Sequence, residues 1–448
     1  MTHSLFPSEN HLGLVTDLYE LTMAAGYHAH GIARQRVVFE LWARRLPACR
    51  NYLVAAGLEQ AVHYAEHLSF APEQIEYLRG HPAFSNVPAD WFEHLATLRF
   101  TGDLWAVPEG TVVFGGEPLL HVEAPLDEAQ IAETYLITTL TFQTLVASKA
   151  ARVATAAQGR AIFDFGSRRA HGPQAGLLAA RAAFIGGCVG TSNAEAGRLL
   201  GIPAMGTQAH AWIMAWGDEH DAFRRFGELF PQSSTLLIDT YDTAQGVRNA
   251  LASGAIMQAV RIDSGDLLAS SREVRHILDD AGRSDVKIVA SGDLNEYKIR
   301  DLLAQGAPID SFGVGTELVT SRDDPSLSTV YKLVEQQTPQ GVVGRFKLSK
   351  EKRTYPFAKQ VFRQSDRDGM FTHDIVGRAD ESLPGEALLI PIMRGGRLID
   401  ALPSLVESRS RCLEQVARLP AALKSLEAVA AAYPVQISAR LEREAQQL

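Results

Sequence analysis

A chain of 448 residues is too long for one ordinary domain and long enough for a barrel plus a second unit. Its 46% hydrophobic and 21% charged residues fit a soluble globular protein. A net charge of −9 leaves no electrostatic footprint for DNA or RNA, so no nucleic-acid partner is expected and local basic clusters are read as sites for small anions.

Three widely spaced cysteines, Cys49, Cys188 and Cys412, give neither a disulfide framework nor a zinc pattern, and a reducing cytoplasm fits. The first thirty residues contain no Lys or Arg, so no basic leader is expected. No apolar run approaches transmembrane length, and no membrane association is expected.

In chain order, residues 14–27 read as a helix with Thr16 as its cap and Leu18, Leu21 and Met23 on a shared buried side. Val37-Val-Phe-Glu-Leu-Trp42 reads as a strand. Residues 100–123 alternate and carry turn glycines, which predicts several short strands. A long amphipathic helix is expected over about 127–156.

From Ala161 the chain repeats one unit: short apolar strand, polar loop, helix. Ile162-Phe-Asp-Phe precedes Gly166-Ser-Arg-Arg169, and Cys188-Val precedes Gly190-Thr-Ser192. Leu236-Leu-Ile precedes Asp239-Thr-Tyr-Asp242, and Ala259-Val precedes Arg261-Ile-Asp-Ser-Gly-Asp266. Ile288-Val-Ala precedes Ser291-Gly-Asp293, and Ile309-Asp-Ser-Phe precedes Gly313-Val-Gly-Thr316. Asp293 with Glu296 has the pattern of a capping box. Six such units argue for a parallel sheet, closed as a barrel rather than open, with every loop on the C-terminal face. The expected domains are 1–140, 141–340 with the active-site loops, and 341–448. The last includes a basic, polar stretch at 347–363 and a helical tail that folds back on the first domain.

Those loops carry the chemistry. His210, in Gly206-Thr-Gln-Ala-His210, has no second His or Cys at ligand spacing nearby. It is a structural residue, or an imidazole held by Asp239 so that one nitrogen is free to attack phosphorus. Asp239 alternatively caps the helix starting near Thr243. Arg168 and Arg169 are a surface patch or an anion site. Phe165 is core or a flat face for an aromatic ring. Arg261 and Asp263 form a structural ion pair or a ribose and pyrophosphate clamp. Gly292 in Ser291-Gly-Asp293, with Gly313, Gly315 and Thr316, suits a phosphate held by backbone N–H groups. There is no Walker A pattern and no full Rossmann fingerprint.

Thr16-Asp-Leu-Tyr-Glu-Leu-Thr-Met23, Phe39-Glu-Leu-Trp42 through Arg45-Leu-Pro47, Phe165-Gly-Ser-Arg-Arg-Ala-His-Gly-Pro173, Gly190-Thr-Ser-Asn193, Gly206-Thr-Gln-Ala-His210, Asp263-Ser-Gly-Asp266, Gly313-Val-Gly-Thr316 and Lys359-Gln-Val-Phe-Arg363 together resemble nicotinate phosphoribosyltransferase. The resemblance runs from about residue 12 to Tyr433. It implies an irregular TIM-like α/β barrel with an N-terminal α/β domain completed by the C-terminal segment. It also implies a cytoplasmic homodimer with shared active sites.

Carried over by position, His210 is the phosphorylated histidine and Asp239 its partner. Phe165 and Tyr19, the latter from the other subunit, would sandwich the pyridine. Arg261, Thr207 and Arg168 would contact nicotinate or the phosphoribosyl donor. Asp263, Gly292, Gly313, Gly315 and Thr316 would hold phosphoribosyl pyrophosphate. Ser192 stands where nicotinamide-using relatives carry Asp. ATP as co-substrate and Mg²⁺ are implied, with no metal ligands assigned. Two departures stand out: Ala211 replaces a hydroxyl residue after the histidine, and Tyr355-Pro-Phe357 replaces Thr-Pro-Gly.

The implied reaction joins nicotinate to phosphoribosyl pyrophosphate in NAD salvage. The rivals are a nicotinamide-specific enzyme, a non-catalytic nicotinate-binding paralogue, and a barrel lyase or aldolase. The last would want a strand-end lysine that these loops lack.

Overall fold

The computed structural model describes residues 10–347 and 354–448, so residues 348–353 of the basic stretch lie outside the described residues. The chain forms two compact units, Met1–Leu145 with Ser326–Leu448, and Val146–Pro325.

The first unit is built on a seven-stranded sheet in the order Gly341–Gly344, Thr329–Thr338, Arg36–Ala43, Pro118–Pro125, Asp103–Ala106, Ile390–Arg394, Arg397–Leu398. Arg36–Ala43 is paired on both sides and buried along nearly its whole length, which is why it reads as a continuous apolar run. Its one interior charge, Glu40, meets Lys359 at 2.7 Å. Burial pushes the Glu40 carboxyl up and the Lys359 amine down. The C-terminal segment completes this sheet at Ile390–Arg394. Thr329–Thr338 pairs with Arg36–Ala43, so residues 326–340 join this unit instead of the barrel segment in which they were expected.

Three local expectations differ from the structure. The first helix is Leu18–Ala29 with Asp17 at its N-cap position, while the Thr16 hydroxyl donates to the Ile131 carbonyl at 2.9 Å. Its buried face is Glu20, Leu21, Ala24 and Ala25, which follow helical spacing; Leu18, Tyr19 and Met23 are exposed. The long helix is interrupted at Ala132, giving Leu126–Ile131 and Glu133–Ala156.

Phe357, at the glycine position of the Thr-Pro-Gly pattern, keeps a backbone that suits glycine. Its φ is +68°, in the left-handed region that non-glycine residues rarely enter. Its N–H donates to Val334 O at 2.7 Å, and the Arg378 guanidinium covers its ring at 4.2 Å.

The second unit is a curled sheet of six parallel strands, ordered Gly190–Thr191, Ala161–Asp164, Ser311–Val314, Lys287–Ala290, Ala259–Ile262, Thr235–Leu237. Each predicted unit supplies one strand, although the one expected at Cys188 forms two residues later. The sheet is a half-barrel, and the extended segment 203–208 spans its seam. On one side Thr191 N donates to Pro203 O at 3.0 Å and Met205 N to Thr191 O at 2.8 Å. On the other, the Gln208 side chain accepts from Leu237 N at 3.4 Å.

The Asp293 capping box does not form. Asp293 is left-handed at φ +47°, and Asn295 takes the N-cap, accepting from Lys298 N at 2.9 Å. Among the described residues no helix is long and apolar enough to cross a membrane.

A buried charge network underlies the phosphate-type loops. Lys149 Nζ lies 2.7 Å from Glu296 and 2.9 Å from Asp323, and Arg152 Nε donates to Glu296 at 3.0 Å. Lys149→Met removes the cation while the buried carboxylates stay. The expected cost is about 3–5 kcal/mol, read as a lower urea midpoint for the tertiary signal. An unchanged midpoint would show that the network is energetically idle.

Candidate active site

Asp164 ends its strand fully buried. Its carboxylate accepts from Gly166 N and from the Thr191 hydroxyl, both at 2.8 Å, and so fixes the start of the loop that carries Phe165 and Arg168. Burial raises its pKa, with those two donors working against the rise. Phe165 donates its N–H to Val314 O at 2.9 Å. Its ring has the Phe163 ring at 6.3 Å and the Arg261 guanidinium at 5.6 Å.

Arg261 is the hub of the site. Nε donates to the Ser291 hydroxyl at 2.8 Å and Nη2 to Asp263 at 2.6 Å. Nη1 donates to the Thr207 hydroxyl at 2.6 Å and to the Gln208 carbonyl at 3.2 Å. The guanidinium is therefore locked across three loops as a fixed charge. Asp263 also accepts a very short hydrogen bond from Ser291. Burial opposes the ionised form of Asp263. The Ser291 hydroxyl, the Arg261 charge and His210 outweigh it and hold the carboxyl below its usual range. Gly292, at φ +95°, lets this loop close: a Cβ there would lie 1.9 Å from the Asp263 carbonyl oxygen.

His210 opens the helix His210–Trp216, half-exposed. Its Nδ1 lies 3.1 Å from the Thr240 hydroxyl and its Nε2 3.9 Å from Asp263. Asp239, the expected partner, is directed elsewhere. Its Oδ2 accepts from Asp263 N at 2.8 Å and from the Ser264 hydroxyl at 2.7 Å. Nor does it cap the next helix, because Asp242 does so through Gln245 N at 2.7 Å. Asp239 thus braces the loop that presents Asp263, and the carboxylate beside the imidazole is Asp263. Although Ala211 removes a hydroxyl after the histidine, Thr240 supplies one from the neighbouring loop.

Two adjoining cavities occupy this end of the unit. The larger, about 380 Å³, is lined by Phe165, Arg168, Ser192, Thr207, His210, Arg261 and Asp263 among others. The smaller, about 230 Å³, is lined by Gly292, Gly313, Gly315 and Thr316 together with Phe165, Arg168, Arg261 and Asp263. The four shared residues form the wall between an aromatic-floored space and a glycine-rich one. Every expected site residue of the second unit except Asp239 faces one of them. Ser192 is not consumed as a helix cap, since Asn193 accepts from Ala196 N at 3.0 Å. Tyr19 belongs to the first unit, on the exposed face of its helix and 47% exposed.

Met205, Ala209 and Leu237 also line the larger cavity, and Arg169 and Asp293 the smaller. The first three are apolar and were assigned no role; Ala209 lies within the Gly206-Thr-Gln-Ala-His210 motif and Leu237 within the strand before Asp239, and only those positions hint at them. Among the described residues no three His, Cys, Asp or Glu side chains converge on a metal site. Mg²⁺ carried by a diphosphate needs only one or two carboxylates, and Asp263, held ionised, is one that both cavities share.

Comparison with known proteins identifies the family. Residues 14–141 match the nicotinate phosphoribosyltransferase N-terminal domain and residues 161–339 the nicotinate phosphoribosyltransferase family. The nicotinate phosphoribosyltransferase pncB2 of Mycobacterium tuberculosis is 45% identical over 439 residues, covering 96% of this chain and 93% of that protein. The Bacillus subtilis nicotinate phosphoribosyltransferase is 43% identical over 364 residues, covering 79% and 74%. The crystal structure of human nicotinic acid phosphoribosyltransferase superimposes with a TM-score of 0.86 at 28% identity, covering 97% of this chain and 99% of that one.

Proposed function

The chain belongs to the nicotinate phosphoribosyltransferase family, and on that premise we propose that it makes nicotinate mononucleotide for NAD salvage, consuming ATP through a phosphohistidine at His210. The pyridine nitrogen of nicotinate attacks the anomeric carbon of phosphoribosyl pyrophosphate, and the bond to pyrophosphate breaks. The observation that carries this reading is the pair of cavities sharing Phe165, Arg168, Arg261 and Asp263. An aromatic floor suits the pyridine, and a glycine-rich lobe suits the 5-phosphate. The charged wall between them lies where two substrates would meet, so the protein's contribution is positioning and charge stabilisation. Mg²⁺, when bound with the diphosphate, would supply counter-charge to the leaving group, with Asp263 as its protein-side carboxylate.

The deciding assay supplies purified protein with phosphoribosyl pyrophosphate, Mg²⁺ and either nicotinate or nicotinamide, with and without ATP. Nicotinate mononucleotide and pyrophosphate should form, faster or further with ATP. A product from nicotinamide alone would favour the nicotinamide-specific reading. Binding without turnover would favour a non-catalytic paralogue.

The proposed assembly is a homodimer in which Tyr19 completes the partner's site. Tyr19 is only half covered within its own subunit, and that partial burial, followed by the Glu133 and Glu20 carboxylates, raises the pKa of its phenol. Tyr19→Ala and His210→Ala homodimers should each have lost nearly all of the ATP-stimulated activity, and subunit exchange between them should restore part of it. No recovery after exchange verified by mass would argue against a shared site.

A further inference from the structure

We infer that Gly313 is the seat of the Phe165 ring, and so a positioning residue for the aromatic floor of the larger cavity. Gly313 lies inside the strand Ser311–Val314, in register with Phe163, so its backbone belongs to the sheet. Only Gly315 and Thr316 lie beyond the strand end, where backbone N–H groups are free to meet a phosphate. Glycine inside a strand weakens it unless something needs the empty space. Here that something is an aromatic ring. A Cβ on Gly313 would stand 2.3 Å from Phe165 Cδ2 and 2.4 Å from Cε2.

Ordinary carbon contacts are roughly 3.5 Å, so the ring would have to retreat by about 1 Å. Little around it can follow. The Phe165 N–H is tied to Val314 O, and the Arg261 guanidinium near the ring is held by Ser291, Thr207, Gln208 and Asp263. A methyl at position 313 therefore tilts the ring off the floor of the larger cavity; Phe165 and Gly313 also line the smaller one, but the Gly315 and Thr316 backbone at its phosphate end stays in place.

This inference rests on the proposed reaction for its kinetic readout and on nothing but geometry for its structural one. Gly313→Ala should raise KM for nicotinate about tenfold or more, as a misplaced stacking partner does. KM for phosphoribosyl pyrophosphate should rise clearly less than KM for nicotinate, because Gly313 lines that lobe too but the Gly315 and Thr316 backbone is unmoved. Gly315→Ala, at the phosphate end, should show the reverse pattern. Phe165→Leu, which removes the ring, should mask the effect, so the double variant should be no worse than Phe165→Leu alone.

A crystal structure of Gly313→Ala should show the ring displaced even if no turnover is ever found. In that way a wrong reaction and a wrong seat are told apart. Thermal melting of each variant controls for folding. An unmoved ring, a selective rise in the phosphoribosyl pyrophosphate KM, or additive losses in the double variant would overturn the assignment.

Discussion

Ser192→Asp is expected to weaken nicotinate binding by about a thousandfold at low salt. Two like charges roughly 4 Å apart at an effective dielectric near 20 repel by about 4 kcal/mol, and each 1.4 kcal/mol is a factor of ten. Ser192 lines the larger cavity with Arg168 and Arg261, and Asn193 caps the following helix, so the serine is free to face the ligand. A hydroxyl donates to a carboxylate without adding charge. Ser192 is exposed, and ions reach it. The penalty should therefore shrink toward about a hundredfold at physiological ionic strength.

Ser192→Ala should lose only severalfold, because the two arginines keep their attraction. Nicotinamide carries no charge and should be tolerated or favoured by the aspartate variant. Isothermal titration of both pyridines against the three proteins reads this directly. Equal binding of nicotinate by wild type and Ser192→Asp would sink the electrostatic account of specificity.

What could be read from the chain alone followed from periodicity. Six short apolar runs, each followed by a polar loop, can hardly be anything but parallel strands with their loops on one face. That put the loops carrying Phe165, Arg168, Ser192, Arg261 and the glycines on one face, while Thr207 came with the family resemblance; all of them line the two cavities. Side-chain direction was not legible. Asp239 and Asp263 both follow strand ends, and which of them meets His210 depends on how each loop turns. The structure turns Asp239 onto Asp263 N and Ser264, leaving Asp263 beside the imidazole.

Capping failed for a related reason. Asp293 with Glu296 fits the pattern, but the loop needs Asp293 in a left-handed turn, and Asn295 inherits the cap. In the first helix, Leu18, Leu21 and Met23 suggested a buried side; Leu21 does pack inward, with Glu20, Ala24 and Ala25, while Leu18 and Met23 face out. Leu18, Tyr19 and Met23 are left exposed, which suits the proposed contact of Tyr19 with a partner subunit.

His210→Ala is expected to abolish phosphorylation by ATP while sparing a slow transfer of phosphoribose to nicotinate. In the proposed coupling the neutral imidazole attacks the γ-phosphorus, its bond to the bridging oxygen breaks, and ADP departs. The ring then carries extra positive charge, which an ionised carboxylate close by stabilises. Asp263 sits 3.9 Å from Nε2 and is held ionised by Ser291 and Arg261, while the Thr240 hydroxyl fixes the ring through Nδ1.

Removing an activated nucleophile leaves no substitute, so labelling should fall to background. Phe165, Arg168, Arg261 and the glycine-rich lobe are untouched by the change. Transfer without ATP should therefore persist at a rate close to the uncoupled rate of wild type. Label from γ-labelled ATP should survive base and vanish in acid, as a phosphoramidate does. Asp263→Asn should keep the imidazole but slow its phosphorylation by about a hundredfold or more, in the range of a lost charge partner. Label retained in His210→Ala would place the phosphoryl acceptor elsewhere. Transfer lost together with labelling would mean that His210 serves the sugar chemistry directly.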